Sequence, residues 1–474
     1  MVTRLPPVHA VADLAGRRAL VLGLARSGIA ATRFLADAGA EVTAYDRRPA
    51  SDMADAAASL DGRPVRLALG APAEEVAALL AGAQLVVTSP SISARFPTTD
   101  PWLREPLARA EVSGVEVVSE VELFLRLTRA RVLAVTGTKG KTTTTALIGA
   151  ILAAGEVPHA VGGNIGTPLI ERVGELDSRH WAVLELSELQ LPTISRGAEI
   201  AVYTNVGADH LDRHATEAAY RAVKARLAEL TVPAGRVVLN ADDPGCRELG
   251  ARLPAAALAW YGAADAGRGL EATLHDGWLV VRSERVIPVG DVPLLGSHLL
   301  ADALAAALAG SLADVAPAAV ARGIRGFPGV PHRMEAIGER GGIRFVNDSQ
   351  ATIPVAAMAA LAAFGDGGLV LIAGGKDKGL DYAELADAIA ARCRAVVLIG
   401  ETADELERLV GGRVPVHRAV GMDEAVQAAV TLARRGDVVL LSPAAASFDM
   451  FADYAARGDS FRAAVEGLPS EAGS

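Results

Sequence analysis

Cysteine is almost absent: Cys246 and Cys393 are the only two in 474 residues. Two thiols cannot build a disulfide framework, and no His/Cys cluster has the spacing of a zinc site. Aromatics make up only 4% of the chain, so small residues, largely alanine, must fill the interior. That suits helix-rich α/β layers better than an all-β sandwich. No apolar run reaches the roughly 18 residues that span a bilayer; Leu85-Val86-Val87 is long enough only for a buried strand. Met1–Ala12 has no basic stretch followed by an apolar one, so no signal peptide is expected. A basic excess is also missing, with a net charge of −10. The expectation is a cytoplasmic protein with neither a nucleic-acid nor a membrane partner. Hydrophobic residues at 51% and charged residues at 22% exclude wholesale disorder. The length suggests about three domains.

Lysine is the most informative scarcity. Of 46 basic residues, five are lysines: Lys139, Lys141, Lys224, Lys376 and Lys378; the rest are arginines. Arginine is a planar fork that keeps its proton, whereas lysine carries a compact amine that can lose a proton and be modified. Five lysines retained in such a chain invite the question of what each one does.

Alternating strands and helices predict doubly wound parallel sheets. The first segment reads as strand Arg18–Gly23, turn Gly23-Leu24-Ala25-Arg26-Ser27-Gly28, helix Ile29–Ala38 and strand Glu41–Tyr45, with Asp46 at its end. This is a Rossmann-like nucleotide-binding pattern with an acid about 20 residues past the turn. Ala25 stands where the middle glycine belongs, so the pattern points to a nucleotide without selecting NAD. Leu85–Thr88 is another strand, followed by Ser89-Pro90-Ser91. The proline-rich run Pro97–Pro106 reads as loop, and Val115–Val118 closes the sheet. A second α/β segment begins at Arg131. A Gly/Pro break from Gly323 to Pro331 precedes a third, with strands Ile343–Asn347, Leu369–Ala373, Ala395–Ile399 and Val438–Leu441. The expected domains are 1–118, 119–329 and 330–474.

The strongest motif is Gly137-Thr138-Lys139-Gly140-Lys141-Thr142, which follows the strand Val132–Val135 and opens the helix that starts at Thr143. Backbone amides of such a turn and the helix start cradle phosphates. Lys141 is expected on the β/γ-phosphates and Thr142 on Mg²⁺. A full P-loop needs glycine at the position of Val135, so this loop is a shortened form. Glu185-Leu186-Ser187 and the run Asn205–Asp212 end two further strands, where parallel sheets place ligands. Carboxylates and an imidazole there suit Mg²⁺. Lys224 stands alone in the helix Ala218–Leu230, where arginine would be the habit of this chain.

These motifs, taken with Gly162-Gly163-Asn164-Ile165-Gly166, Tyr220–Lys224, Pro331-His332-Arg333-Met334-Glu335, Asn347–Thr352 and Leu441–Asp449, resemble the Mur ligase family over essentially the whole chain. The last two runs most resemble the member that adds D-glutamate. The resemblance implies three α/β domains: a Rossmann-like N-terminal domain for a UDP substrate, a P-loop central ATPase domain, and a Rossmann-like C-terminal domain for glutamate. It implies a monomer that ligates D-glutamate to UDP-N-acetylmuramoyl-L-alanine, with ATP and two Mg²⁺ ions, through an acyl phosphate in peptidoglycan precursor synthesis. Gly137, Thr138, Lys139, Gly140, Lys141, Thr142 and Thr143, with His332, Arg333 and Asp348, would bind ATP. Thr142 and Glu185 would hold one Mg²⁺, and His210 with a CO₂-derived carbamate on Lys224 would serve the other. Lys141, His210 and Lys224 are the implied catalytic set. Gly23, Arg26, Ser27, Asp46, Arg48, Ser89 and Asn164 match the UDP-substrate positions. Thr352, Lys378 and Ser447, with Tyr454, match the glutamate positions.

The chain departs from the family pattern at several places. Gln350 replaces a usual lysine and Ser91 a usual glycine. Leu299 and Asp302 stand where asparagines are common, and Ala445 where a cysteine is. A related ligase taking L-glutamate or another amino acid has the same charge requirements. An NAD-dependent dehydrogenase would use only the Gly23–Asp46 unit, and a P-loop regulatory protein only the second motif.

Overall fold

A computed structural model describes residues 6–94, 99–207, 216–263, 269–293, 297–365 and 368–469. The chain divides into two compact units, residues 1–292 with 301–326, and residues 293–300 with 327–474. The first unit holds two sheets and the second holds one.

The first sheet contains β1 (Arg18–Leu22), β2 (Glu41–Asp46), β3 (Val65–Leu69), β4 (Leu85–Thr88) and β5 (Glu116–Ser119). All pairings are parallel, in the order β3-β2-β1-β4-β5. The chain reverses direction between β1 and β4, so the loops leaving their carboxyl ends splay apart and leave a crevice. The turn after β1 needs two of its glycines. Gly23 has φ of 87°, and a Cβ on Gly28 would lie 1.7 Å from the Gly23 carbonyl oxygen. Ala25 takes an extended backbone and is tolerated. Where the proline-rich run predicts loop, a helix spans Pro101–Ser113. Pro101 lies in the first turn, where a missing N–H costs nothing. Pro106 gives up one backbone bond, but Leu103, Leu107 and Ala110 are buried on the inner face.

The second sheet holds β6 (Arg131–Thr136), β7 (His159–Gly163), β8 (Trp181–Glu185), β9 (Ile200–Tyr203), β10 (Arg236–Asn240), β11 (Leu258–Gly262), β12 (Ala272–His275), β13 (Trp278–Val281) and β14 (Glu284–Pro288). Their order is β14-β13-β12-β11-β10-β9-β6-β8-β7. The pairings β12–β13 and β13–β14 are antiparallel, which the expectation of parallel strands missed. Asp276 and Gly277, both at positive φ, form the two-residue turn between β12 and β13, the geometry that Asp-Gly favours. One apolar cluster runs from Val21 of the first sheet and Leu35 of the helix that follows it to Leu184 and Leu239 of the second sheet. Ser119 and Thr193 share a 2.7 Å hydroxyl hydrogen bond between the two layers.

In the second unit, β15 (Glu335–Arg340), β16 (Ile343–Asn347), β17 (Leu369–Gly374), β18 (Cys393–Ile399), β19 (Val416–Arg418) and β20 (Val438–Leu441) form one sheet. The order is β15-β16-β20-β17-β18-β19, and only β15 runs antiparallel. Leu369, Leu371, Val438 and Leu440 pack on one face, and Val370, Ile372, Val439 and Leu441 on the other. Helices cover both faces, so these strands read as continuous apolar runs rather than alternating ones.

The close approach at Gly28 generates a test. Gly28→Ala forces the main chain to move, a cost of about 1–3 kcal/mol or more. Gly82, at a helix end with nothing within 4 Å of a built Cβ, accepts alanine at little cost. Thermal unfolding followed by circular dichroism should show a midpoint lower by several degrees for Gly28→Ala and nearly unchanged for Gly82→Ala. Equal midpoints would mean that the turn does not need the contact.

Candidate active site

The second sheet places its switch point at β6, with β8 and β7 on one side and β9 and β10 on the other. From the carboxyl end of β6 the chain enters Gly137–Gly140 and then the helix Lys141–Ala154. Gly137 (φ 151°) and Gly140 (φ 82°) cannot carry side chains. A Cβ would lie 1.9 Å from Thr204 Oγ1 at the first and 2.3 Å from Asp302 Oδ1 at the second. The end of β9 fixes the loop. Thr138 N and Lys139 N donate to Asn205 Oδ1 at 3.1 and 2.9 Å, and Asn205 Nδ2 and Thr204 Oγ1 donate back to the Lys139 carbonyl. The helix has no side-chain cap and no acid in its first turn. Its positive end therefore suits an anion.

Two of the rare lysines meet here. Lys141 Nζ donates to the Gly137 and Thr138 carbonyls, both at 3.0 Å. Lys224, fully buried on the helix Glu217–Thr231, donates to the Gly137 carbonyl at 3.0 Å and to Thr136 Oγ1 at 3.3 Å. Its Nζ lies 5.4 Å from the centre of the Tyr220 ring. Lys139 is exposed and Thr142 half-buried. Thr143 is buried, and its hydroxyl has no partner among the described residues.

Glu185 ends β8 and is buried. Its Oε1 accepts from Asn164 Nδ2 at 2.7 Å, while Oε2 is buried without a partner among the described residues. A buried carboxylate oxygen left unpaired is costly, and a bound cation would satisfy it. No group of three His, Cys, Asp or Glu that could hold a metal occurs among the described residues. The buried Glu185 oxygen suits Mg²⁺, which commonly takes one or two carboxylates and completes its shell with substrate phosphates and water. His210, with the rest of 208–215, lies outside the described residues.

The turn after β1 reaches the same neighbourhood. Arg26 Nη2 donates to the Asn164 carbonyl at 3.2 Å, and Asn164 in turn holds Glu185. Ser27 is half-buried beside it. Ser89, at the end of β4, donates to the Gly23 carbonyl at 3.3 Å. Asp46 is fully engaged: its oxygens accept from Leu24 N, Arg48 N, Arg48 Nε and Arg48 Nη2 at 2.9–3.0 Å. Burial alone would raise its pKa, but the Arg48 side chain and the two amides outweigh burial and hold it below the usual range. Its visible work is to lock the turn.

In the second unit Asp348, Thr352, Lys378 and Ser447 follow the carboxyl ends of β16, β17 and β20, His332 and Arg333 precede β15, and Tyr454 opens the last helix. Asp348 follows β16 and accepts from Met334 N at 3.1 Å and from Ser442 Oγ at 2.9 Å. Burial raises its pKa to about 6. His332 is buried, with its ring edge-on to Tyr454 at 6.2 Å. Thr352 is half-buried, Lys378 and Tyr454 are exposed, and Ser447 is buried. Backbone bonds stitch these loops together: Lys376 N to the Ala446 carbonyl at 2.9 Å and Ala444 N to the Ala351 carbonyl at 2.8 Å. Lys376 itself pairs with Glu401 at 2.7 Å.

Sequence reasoning missed two groups. Arg457 is fully buried; it donates to Ser349 Oγ and O and to the Ala445 and Ala446 carbonyls, tying the β16 loop to the β20 loop. Burial lowers its pKa to about 10. Nothing marks it among so many arginines. Glu120, the first residue of the helix Glu120–Leu127, is likewise buried. Burial raises its pKa to about 7; the Ile170 amide and Arg26 oppose the rise, and Glu171 adds to it.

Comparisons with known proteins agree with this architecture. The profile described as Mur ligase middle domain matches residues 135–310, and that described as Mur ligase, glutamate ligase domain matches residues 332–445. The chain is similar to UDP-N-acetylmuramoylalanine–D-glutamate ligase of Solibacter usitatus, 42% identical across 96% of this chain and 99% of that one. It is also similar to the protein of the same name from Geobacter metallireducens, 39% identical across 96% and 98%. Among solved structures, UDP-N-acetylmuramate–alanine ligase from Thermotoga maritima shares the fold with a TM-score of 0.60 at 17% identity, over 95% of this chain and 99% of that one.

Glu120 supplies a pH test. The folded state holds its proton more tightly than the unfolded chain does. The resulting stabilisation is complete below about pH 4.5 and disappears as pH rises through about 7. Relative to Glu120→Gln, the wild-type chain should lose about 3 kcal/mol of unfolding free energy between pH 4.5 and 8. Denaturant melts of both proteins across that range measure this, and a pH-independent difference would show that the carboxyl is not held neutral.

Proposed function

The chain belongs to the Mur ligase family, and on that premise we propose that it joins D-glutamate to UDP-N-acetylmuramoyl-L-alanine, at the expense of ATP, in peptidoglycan precursor synthesis. It is an ATP-dependent, amide bond-forming ligase. The observation that carries the site assignment is the anion cradle after β6, with Lys141 bonded to its carbonyls, together with the unpaired oxygen of Glu185, whose other oxygen accepts from Asn164.

The chemistry brings two anions together. The substrate carboxylate attacks the γ-phosphorus of ATP, ADP leaves, and an acyl phosphate forms. The glutamate amine then attacks that carbonyl, loses a proton, and phosphate departs. Each step needs positive charge where negative charge gathers. Gly137–Thr143 would hold the phosphates through backbone amides, and Lys141 would leave its own carbonyls to meet them. Thr142 and Glu185 would hold Mg²⁺, which neutralises phosphate charge when bound. His332, Arg333 and Asp348 are assigned to ATP. Gly23, Arg26, Ser27, Arg48, Ser89 and Asn164 would take the UDP substrate, with Asp46 bracing the turn. Thr352, Lys378, Ser447 and Tyr454 would take glutamate, the exposed Lys378 pairing with a carboxylate. Residues 1–118, 119–329 and 330–474 would then bind UDP substrate, ATP and glutamate respectively, in a cytoplasmic monomer. No helix among the described residues is long and apolar enough to cross a membrane.

Mass detection of the ligated product across a panel of D- and L-amino acids tests the activity. Product with D-glutamate alone, abolished in a folded Lys141→Ala protein, is expected. Product with L-glutamate would select the related ligase, and ATP hydrolysis without ligation would remove the assignment.

Lys224 carries the finer reading that it is carbamylated and, with His210, serves a second Mg²⁺. A buried amine can add CO₂ and become an anion, which arginine cannot do. Lys224→Arg should be folded but nearly inactive, and Lys224→Ala should partly recover with acetate. A ¹³C carbamate signal after labelled bicarbonate should be present in the wild type and lost in Lys224→Ala. High activity of Lys224→Arg without additive, or no such signal, would exclude the modification.

A further inference from the structure

The segment around Arg333 is bent in an unusual way. His332 (φ 63°) and Met334 (φ 44°) both lie in the left-handed region, which costs non-glycine residues energy and persists only where neighbours enforce it. The loop after β16 enforces it here. Gln350 N donates to the His332 carbonyl at 2.9 Å, Met334 N donates to Asp348 Oδ1 at 3.1 Å, and His332 N donates to Glu335 Oε2 at 3.0 Å. Asn347 Nδ2 contacts His332 Nδ1 at 3.1 Å. Gly458 leaves the room this needs, since a Cβ there would lie 2.2 Å from His332 Nδ1. The main chain on both sides of Arg333 is thus held.

The side chain of Arg333 is held as well, by the same residue. Its Nε donates to Gln350 Oε1 at 2.7 Å, and both residues are half-buried. Gln350 therefore grips the bend twice, through its own amide N–H and through its side-chain oxygen. A bond at Nε fixes the plane of the guanidinium from its inner edge and does not use the terminal pair of nitrogens. That is the half of the fork that meets phosphate oxygens side by side.

We infer that Gln350 is a positioning residue that aims Arg333 at the phosphates of the nucleotide. This rests on the assignment of Arg333 to ATP proposed above. The residue type follows from the task. The amide oxygen accepts the Nε–H without cancelling any of the guanidinium charge. A glutamate would keep the acceptor but neutralise part of that charge. An alanine would free the fork, and a lysine, which has no acceptor, would set a like charge against it.

Steady-state kinetics of the full chain, with melting temperatures as a control for folding, test the inference. Arg333→Ala should raise the ATP KM about tenfold or more, the size expected for a lost charge-assisted contact. Gln350→Ala should raise it several-fold and Gln350→Lys further, while Gln350→Glu stays within about threefold of wild type and the glutamate KM is unmoved in all of them. In an Arg333→Ala background, Gln350→Ala should add nothing, because the two act as one unit. Additive effects in the double variant, a shift in the glutamate KM instead, or a wild-type ATP KM in Gln350→Lys would overturn the role of Gln350. An unchanged ATP KM in Arg333→Ala alone would overturn the assignment of Arg333 to ATP, and the inference with it.

Discussion

Two lysine amines end on a single carbonyl oxygen, that of Gly137. Much of the first unit is arranged so that they can. Lys141 arrives from the helix that the loop opens, and Lys224 from a helix some eighty residues later in the chain. Gly137 can be approached this closely because it has no Cβ and packs directly on Thr204. Thr204 and Asn205 hold the outer side of the loop, so its amides and the positive end of the helix stay in register with the two lysines. The result is an anion cradle fixed at one point of the fold, which is what a reaction between a carboxylate and a polyphosphate requires.

That point is not arbitrary. Each sheet has a point where its strand order reverses, and the reversal opens a crevice at the carboxyl ends of the strands. The loops at Gly23 and Ser89, at Gly137 and Glu185, and at Asp348, Lys376 and Ala446 all leave such ends. Glycine recurs where those loops pass close to a neighbour. A Cβ on Gly163 would lie 2.4 Å from the Glu185 carbonyl oxygen, and one on Gly374 would lie 2.1 Å from that of Ile399. The fold sets where polar side chains can gather, and the residues on the loops set what they can do.

The sequence made the buried strands and the phosphate loop readable because both are local. An apolar run between turn residues is a strand whatever lies beyond it, and Gly-Thr-Lys-Gly-Lys-Thr declares its own backbone shape. The scarcity of lysine was informative at Lys224, which proves fully buried beneath the loop. It said less at Lys376, whose ion pair with Glu401 an arginine could also make. Features that depend on a distant partner stayed hidden. Arg457 matters because Ser349, Ala445 and Ala446 surround it, and Glu120 because Ile170 and Arg26 lie beside it. The helix through Pro106 formed because burial of its inner face outweighs a lost backbone bond. The hairpins of β12–β14 were carried by short strands, though the Asp-Gly turn between two of them was visible.

A further regularity separates cations that brace the fold from cations placed near the proposed anion sites. Arg17 pairs with Glu116, and Arg126 with Glu116 and Glu122; each of these charges is largely cancelled by its partner. Lys376 pairs with Glu401 in the same way, but other bonds at the loops are of another kind. Lys141 donates to the Gly137 and Thr138 carbonyls, Arg333 to the Gln350 amide oxygen, and Arg457 to carbonyls and a hydroxyl. A neutral oxygen fixes direction without itself cancelling positive charge. Asp348 follows the same logic from the opposite sign. Burial raises its pKa to about 6, which lessens the negative charge beside Arg333 at mildly acid pH, while its oxygens still anchor Met334 and Ser442. A site that must draw two anions together gains from cations held by neutral oxygens, and the amide oxygen of Gln350 on Arg333 fits that constraint.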